Sequence, residues 1–194
     1  MKEDLVDEEI LKAAKELFSR YGLKKTTMDD VARAVGKGKS TLYYYYPGKT
    51  ELFQSVVKHE MANATKMIRI AVNKEITAHA KFSAYILSRL ALRAESVNLS
   101  KVVLDDIFDH YQDIYPLKEE FEEIHLNFIK EIIKGGVQSG EFKNMAESDI
   151  CFLGSWINAA LSGLERPGQK SISITCTTDC DQVINYILYG IVRA

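Results

Sequence analysis

The chain has 194 residues, 46% of them hydrophobic and 10% aromatic, with eleven glycines, three prolines and a formal net charge of −2. That leaves room for one generous domain, or a small one joined to a larger one, and excludes disordered, collagen-like and low-complexity classes. No apolar run reaches a membrane span, and the acidic start MKEDLVDEEI is unlike a secretory signal, so the expectation is a cytoplasmic protein with no membrane partner.

From Asp7, the residues Ile10, Leu11, Ala14, Leu17, Phe18 and Tyr21 recur at three- and four-residue steps, which predicts an amphipathic helix stopped by Gly22. A second, short helix follows. Thr27 caps it with Asp30 three residues on, Met28, Val31, Ala32 and Val35 form its buried side, and Gly36 ends it. Lys37 and Gly38 make a turn, and a third helix is expected over 39–45. Pro47 then starts a fourth helix that runs to about Val72.

Further helices are expected over about 77–95, 99–110 and, from Pro116, to about Gln138. Gly135, Gly136 and Gly140 break the chain, and Asn144 with Glu147 forms a capping pair for a helix to about Leu164. Residues 165–177 read as a polar loop with a strand-like Ile-Ser-Ile, and Thr178 caps a last helix carrying Val183, Ile184, Ile187, Leu188 and Ile191. No internal repeat is visible. The fold class is all-α, with about nine helices.

Charge is unevenly spread. Residues 20–49 hold seven basic side chains and two acids, net +5, whereas residues 50–194 hold fifteen basic and nineteen acidic, net −4. A basic head on a mildly acidic body points to a polyanion partner for the head.

Two short helices joined by a glycine-containing turn, after a longer first one, form a helix-turn-helix, whose last helix enters the DNA major groove. Here that helix is KSTLYYY, with Leu42 as inward anchor. Lysine supplies charge, hydroxyls bond phosphate oxygens, and tyrosine rings pack on sugars or thymine methyls. Lys49 stands at the start of the fourth helix, where backbone N–H groups favour an anion. The GKST at 38–41 also suggests a nucleotide-binding loop, but that loop needs a glycine at the position of Arg33 and a preceding strand.

The segment TTMDDVARAVGKGKSTLYYYYPGKTELF, residues 26–53, resembles the DNA-binding signature of the tetracycline-repressor (TetR) family. In that family T-x-x-x-[IVL]-A-x-x-[AV]-G leads into K-G-T-L-Y-x-[HY]-[FY]-x-x-K-x-x-L-[FL]. The resemblance implies that Thr27, Lys39, Ser40, Thr41, Tyr43, Tyr44, Tyr45 and Lys49 face DNA, while Val31, Ala32, Leu42 and Tyr46 hold the head together. Two positions depart from the pattern. Lys37 stands where an aliphatic residue usually packs, adding a phosphate contact, and Gly38 stands where Ser or Thr usually caps.

The resemblance also implies a body that binds a small-molecule effector and dimerises. The resulting division is a helix-turn-helix DNA-binding domain over 1–50 and a helical ligand-binding and dimerisation domain over 51–194. On the penultimate helix Cys151, Phe152, Gly154, Ser155, Ala159, Ser162 and Gly163 mix small and apolar residues, and residues 186–189 continue that character, as a homodimer interface through the last two helices needs. Intramolecular core is the competing role for each. Candidate effector contacts are Phe82, Tyr85, Arg89, Phe108, Tyr111, His125, Phe128 and Trp156, an apolar set with a few polar groups. Their commoner roles are core aromatics, a satisfied buried histidine and a surface arginine.

No cofactor and no metal is implied. The runs DDIFDH and EEFEE read as solvated helix faces, and Cys151, Cys176 and Cys180, odd in number, as reduced thiols. The expected function is a non-enzymatic, ligand-responsive repressor on a double-stranded, palindromic DNA operator, released by a small molecule. The alternative is a small-molecule-binding or enzymatic helical protein that keeps an inert head.

Overall fold

The computed structural model describes residues 2–91, 111–164, 182 and 184–187, the side chains of 2–4, 111–114 and 164 aside. These residues fall into two compact units that divide inside one long helix, after Asn63. Among the described residues every regular element is helical. They comprise α1 (Lys2–Lys25), α2 (Met28–Val35), α3 (Lys39–Tyr45) and α4 (Lys49–Asn73). The helix α5 follows over 78–91, then α6 (Tyr111–Ser139), α7 (Glu147–Leu164) and helical residues at 184–187. The helix expected over 99–110, the 165–177 loop and the Thr178 cap lie outside the described residues, as do Cys176 and Cys180.

In the first unit, α1 buries Ile10, Leu11, Ala14 and Phe18 against α2. Its regular path breaks at Gly22 (φ 83°, ψ 162°), a conformation open to glycine and strained for any residue with a Cβ. The helix begins at Lys2 rather than Asp7, because the acidic first turns continue the α1 path. Beyond the kink Leu23 turns inward, and the buried Thr26 hydroxyl donates to the Gly22 carbonyl at 2.8 Å.

The second helix is closed at both ends. The Thr27 hydroxyl accepts from the Asp30 N–H at 3.2 Å, and the Asp30 carboxylate accepts from the Thr27 N–H at 3.0 Å, a capping box with aspartate in the usual Glu/Gln place. At the other end Gly36 adopts the left-handed conformation (φ 68°) and its N–H reaches the Ala32 and Arg33 carbonyls. The turn delivers α3 onto α2, with Leu42 wholly buried between them, an interaction worth roughly 2 kcal/mol.

Pro47 explains why α3 is so short. A residue before proline is disfavoured in the helical region, and Tyr46 is extended (φ −133°, ψ 114°). α4 starts at Lys49 rather than at Pro47, its first backbone bond running from Leu52 N–H to the Gly48 carbonyl at 3.1 Å. Leu52, Phe53 and Val56 of α4 complete the head's core, with Phe18 and Phe53 edge to face at 5.5 Å.

The second unit has its own core, built from Ile68 and Val72 of α4, Phe82, Tyr85 and Ile86 of α5, Phe128, Ile129, Ile132 and Ile133 of α6, and Ile150, Ile157 and Leu161 of α7, with Ile184. Three expectations need correction here. Pro116 lies within α6, which starts at Tyr111, so the proline removes one interior N–H instead of opening the helix. Gly135 and Gly136 continue α6, and Gly140 (φ 77°) makes the turn. Gly136 is there for space, since a Cβ would stand 2.2 Å from the Phe142 ring folded back over it. Finally, the α7 N-terminus is closed by Ala146 N–H donating to the Asp149 carboxylate at 3.3 Å, two residues on from the expected Asn144–Glu147 pair; Glu147 instead meets Lys134 at 2.6 Å.

The α6–α7 turn also caps α5. The Glu141 carboxylate accepts from the Ala78 and His79 N–H groups at 2.9 and 3.2 Å, and those bonds hold its pKa below the usual carboxylate value.

Candidate DNA-reading surface and effector site

With Leu42 and Tyr46 pointing inward, a seven-residue helix must turn its other side chains outward. Lys39, Ser40 and Tyr43 are exposed, Tyr44 is 75% exposed, and Thr41 and Tyr45 are half-buried. Tyr45 packs partly on the head's core and meets the Tyr44 ring edge-on at 5.3 Å. Lys37 is exposed in the turn, so it leaves the core position that an aliphatic residue would fill. Gly38 offers α3 no side-chain cap.

Lys39 is preorganised. Its ammonium lies 2.9 Å from the Asp29 carboxylate and 5.9 Å from the Tyr43 ring centroid, and the Asp29 hydrogen bond is the main cause of its raised pKa. Asp29 was missed in the sequence; its place in the first turn of α2 fits a helix-dipole role equally well.

Besides Lys39, two more of the nine expected DNA contacts are engaged within the head. The Thr27 hydroxyl donates to Asp30 at 2.6 Å while accepting from its N–H, so its proton is spent inside the capping box. The Lys49 ammonium donates to the Leu23 carbonyl at 2.8 Å. Tyr46, placed in the core by the resemblance, is buried, and its hydroxyl donates to Asp7 at 2.5 Å; burial, then that hydrogen bond, pushes its pKa above the ordinary phenol value.

In the second unit five of the eight expected effector contacts come together. Phe82, Tyr85, Arg89, His125 and Phe128 are all buried, Arg89 at 0% exposure, which overturns the surface-charge reading of that arginine. The Tyr85 hydroxyl donates to the His125 carbonyl at 3.2 Å, lies 3.4 Å from its Nδ1, and accepts from Arg89 Nη1 at 3.3 Å. The Tyr85 ring meets Phe128 edge-on at 5.6 Å, and the Arg69 guanidinium lies 4.7 Å from the Phe128 ring centroid. Burial above all, then the nearby Arg89 and Arg69 cations, lowers the His125 pKa to about 3.

Trp156 does not join this group. It is 56% exposed on α7, because the buried face of that helix is set by Ile150, Ile157 and Leu161. Phe108 lies outside the described residues, as does the Tyr111 side chain. Two contributors were missed. Asn158, buried, accepts from Arg89 Nη1 at 3.4 Å and donates to the Glu122 carboxylate at 2.9 Å, and Glu122 also accepts from Ser162 at 2.6 Å. A polar residue one position after the buried Ile157 was the available signal.

The small residues of α7 divide by face. Gly154 lies against Lys130, Ile129 and Leu126 of α6, and Ser162 is bonded to Glu122, so both serve the unit's own packing. Phe152, Ser155, Trp156, Ala159 and Gly163 form an exposed stripe at three- and four-residue steps, and Tyr186 is exposed on the last described helical turn. Among the described residues no helix is long and apolar enough to cross a membrane, and no group of three His, Cys, Asp or Glu could hold a metal ion.

A capped helix-turn-helix with a basic, hydroxyl-rich exposed third helix, joined to a separate helical unit, defines a one-component DNA-binding regulator. Residues 10–56 match the family model described as bacterial regulatory proteins, tetR family, so the head of this chain is similar to the DNA-binding segment of that family. It is 26% identical to the fatty acid metabolism regulator protein of Bacillus subtilis over 138 residues, 70% of each chain. It is 21% identical over 192 residues to the HTH-type transcriptional repressor KstR2 of Rhodococcus jostii, covering 94% of this chain and 89% of that one. A transcriptional regulator from Cytophaga hutchinsonii superposes with a TM-score of 0.70 at 26% identity, covering 94% and 93% of the two chains. These relatives are described as regulators of transcription, and the match over residues 10–56 gives this chain a DNA-binding head of the same kind.

Proposed function

We propose that the protein is a homodimeric repressor in which the α3 helices of two copies read the half-sites of a palindromic operator. The observation that carries this is the exposed face of α3, where Lys39, Ser40, Thr41, Tyr43 and Tyr44, flanked by Lys37, surround a fully buried Leu42. Tyr45 contributes from the edge of that face, and Thr27 accepts from, rather than donates to, whatever approaches it. Two symmetric heads reading successive major grooves need a dimer. The exposed stripe of α7 with Tyr186 supports pairing through the last two helices, since Phe152, Trp156 and Tyr186 gain by burial against a second copy.

Repression is the sign carried by the name of the Rhodococcus relative. The effector is a small amphiphile bound around Phe82, Tyr85, Arg89, His125 and Phe128, an apolar setting with a cation, a phenol and a neutral imidazole to orient a polar head. The naming of the Bacillus relative for fatty acid metabolism supports a fatty acid or its thioester. Such a ligand acts by binding the DNA-released geometry better than the DNA-bound one.

Thermal melts of the full chain with palmitate, palmitoyl coenzyme A and free coenzyme A test this. The expected result is a rise in Tm with an acyl ligand and not with coenzyme A alone, together with loss of operator binding at the same concentration. No shift with any of the three removes the fatty-acyl assignment.

A further inference from the structure

The terminal carbonyls of α1 face an unusual partner. The last turn of a helix leaves its carbonyls without intrahelical donors and carries partial negative charge. A lysine at the first position of a helix, in turn, places a cation at the positive pole, where the dipole disfavours it. Lys49 is the first residue of α4, and its ammonium donates to the Leu23 carbonyl at 2.8 Å and reaches the Lys24 carbonyl at 3.5 Å, across 26 and 25 residues of sequence. The Leu23 and Lys24 carbonyls, past the Gly22 break, thus give Lys49 a partner that offsets its poor position at the start of α4.

Three further features give this contact a purpose. The Gly22 kink turns the final residues of α1 toward Lys49's side of the head, with Thr26 bonded back to the Gly22 carbonyl. Lys49 follows Tyr46-Pro47-Gly48, the extended link that leaves α3, so fixing Lys49 fixes the exit of the recognition helix. Along the same α1–α4 seam lie the Phe18–Phe53 ring contact and the Lys15–Glu60 ion pair. α3 is therefore held from below by Leu42, at its end by the Tyr46–Asp7 bond, and beyond its end by Lys49.

We infer that Lys49 is a positioning residue, stapling the start of α4 to the end of α1 so that α3 keeps its reading geometry, and that its ammonium is not a phosphate contact. This rests on α3 being the DNA-reading element. The test compares full-length Lys49→Met, which keeps the stem and loses the donor, with Lys49→Gln, which keeps an N–H donor and loses the charge. The DNA is an operator selected from random duplexes by the wild-type protein.

The expected result is about a tenfold loss of operator affinity in Lys49→Met, most of it recovered in Lys49→Gln, with non-specific affinity and the salt slope unchanged in both. Equal losses in both variants, shared by non-specific DNA and accompanied by a salt slope shallower by about 0.9 per lost contact, would identify a phosphate ligand and overturn the inference. Hydrogen exchange without DNA reads the staple separately. Amides over 22–26 and 49–53 should exchange faster in Lys49→Met, and wild-type exchange at both places overturns the staple even if no operator is ever selected. Failure of the wild-type protein to select any duplex, with the exchange effect present, counts against α3 reading DNA and leaves the staple standing.

Discussion

Among the described residues the head buries the Thr26 hydroxyl, answered by a carbonyl four residues back, and Tyr46, bonded to Asp7, while the body buries Arg89, His125 and Asn158. An apolar core with satisfied caps has one low-energy arrangement, which suits a surface that must meet a fixed DNA geometry. Buried polar groups strengthen each other when satisfied and cost several-fold more when their partners shift, so a core built on them responds to what enters it. Under the proposed function, the first unit presents a helix and the second senses a molecule, and the two cores differ accordingly.

The strongest way to break this comparison is in the head. Leu42→Ala removes the one buried side chain of α3 and should cost about 2–5 kcal/mol, abolishing operator binding and raising hydrogen exchange across 28–46. Retention of operator binding would mean that α3 is held by something other than its anchor. In the body, Gly136→Ala forces a methyl against the Phe142 ring and should cost about 1–3 kcal/mol, lowering Tm. An unchanged melt would show that Phe142 moves aside freely.

The buried histidine sharpens the contrast through pH. His125 titrates near 3 when folded, below its ordinary value of 6.5, so the unfolded chain binds the proton more readily. Its contribution is fully present above pH 6.5 and is lost as pH falls toward 3, at about 1.4 kcal/mol per pH unit within that window. Urea unfolding between pH 7 and 4 should show this slope, and His125→Phe should flatten it. The smallest effect expected is from Thr27→Ala, about 1 kcal/mol from the lost cap, read in the same unfolding assay.

The head was legible in the sequence because each of its signals is local. Thr27 and Asp30, Gly36, and Pro47 after Tyr46 act within four residues, and the structure places the bounds of α2 and α3 where these signals predict. What local signals could not supply was partnership across the chain. Lys49 looked like a free cation at a helix start until the Leu23 carbonyl came within reach, and Lys39 gave no hint of Asp29. In the body the relation inverts. Phe82, Tyr85, His125 and Phe128 could be chosen as aromatic and titratable residues on apolar faces, but the burial of Arg89 and the linking role of Asn158 depend on how α5, α6 and α7 meet. Trp156 failed for the same reason, since its outward direction follows from the register of Ile150, Ile157 and Leu161 on α7. Gly136 was misread as a breaker because its purpose, room for Phe142, is a tertiary one.

The central claim, that the exposed face of α3 reads a symmetric operator, is tested most directly by selecting random duplex DNA with the wild-type protein and with Tyr44→Ala. Tyr44 is the most exposed aromatic side chain on α3, so its removal should leave Tm unchanged. The account predicts that the wild type enriches a two-fold-symmetric site and that Tyr44→Ala binds it about 5- to 100-fold more weakly, or enriches a relaxed site. Enrichment of the same site with the same affinity by both proteins would contradict it.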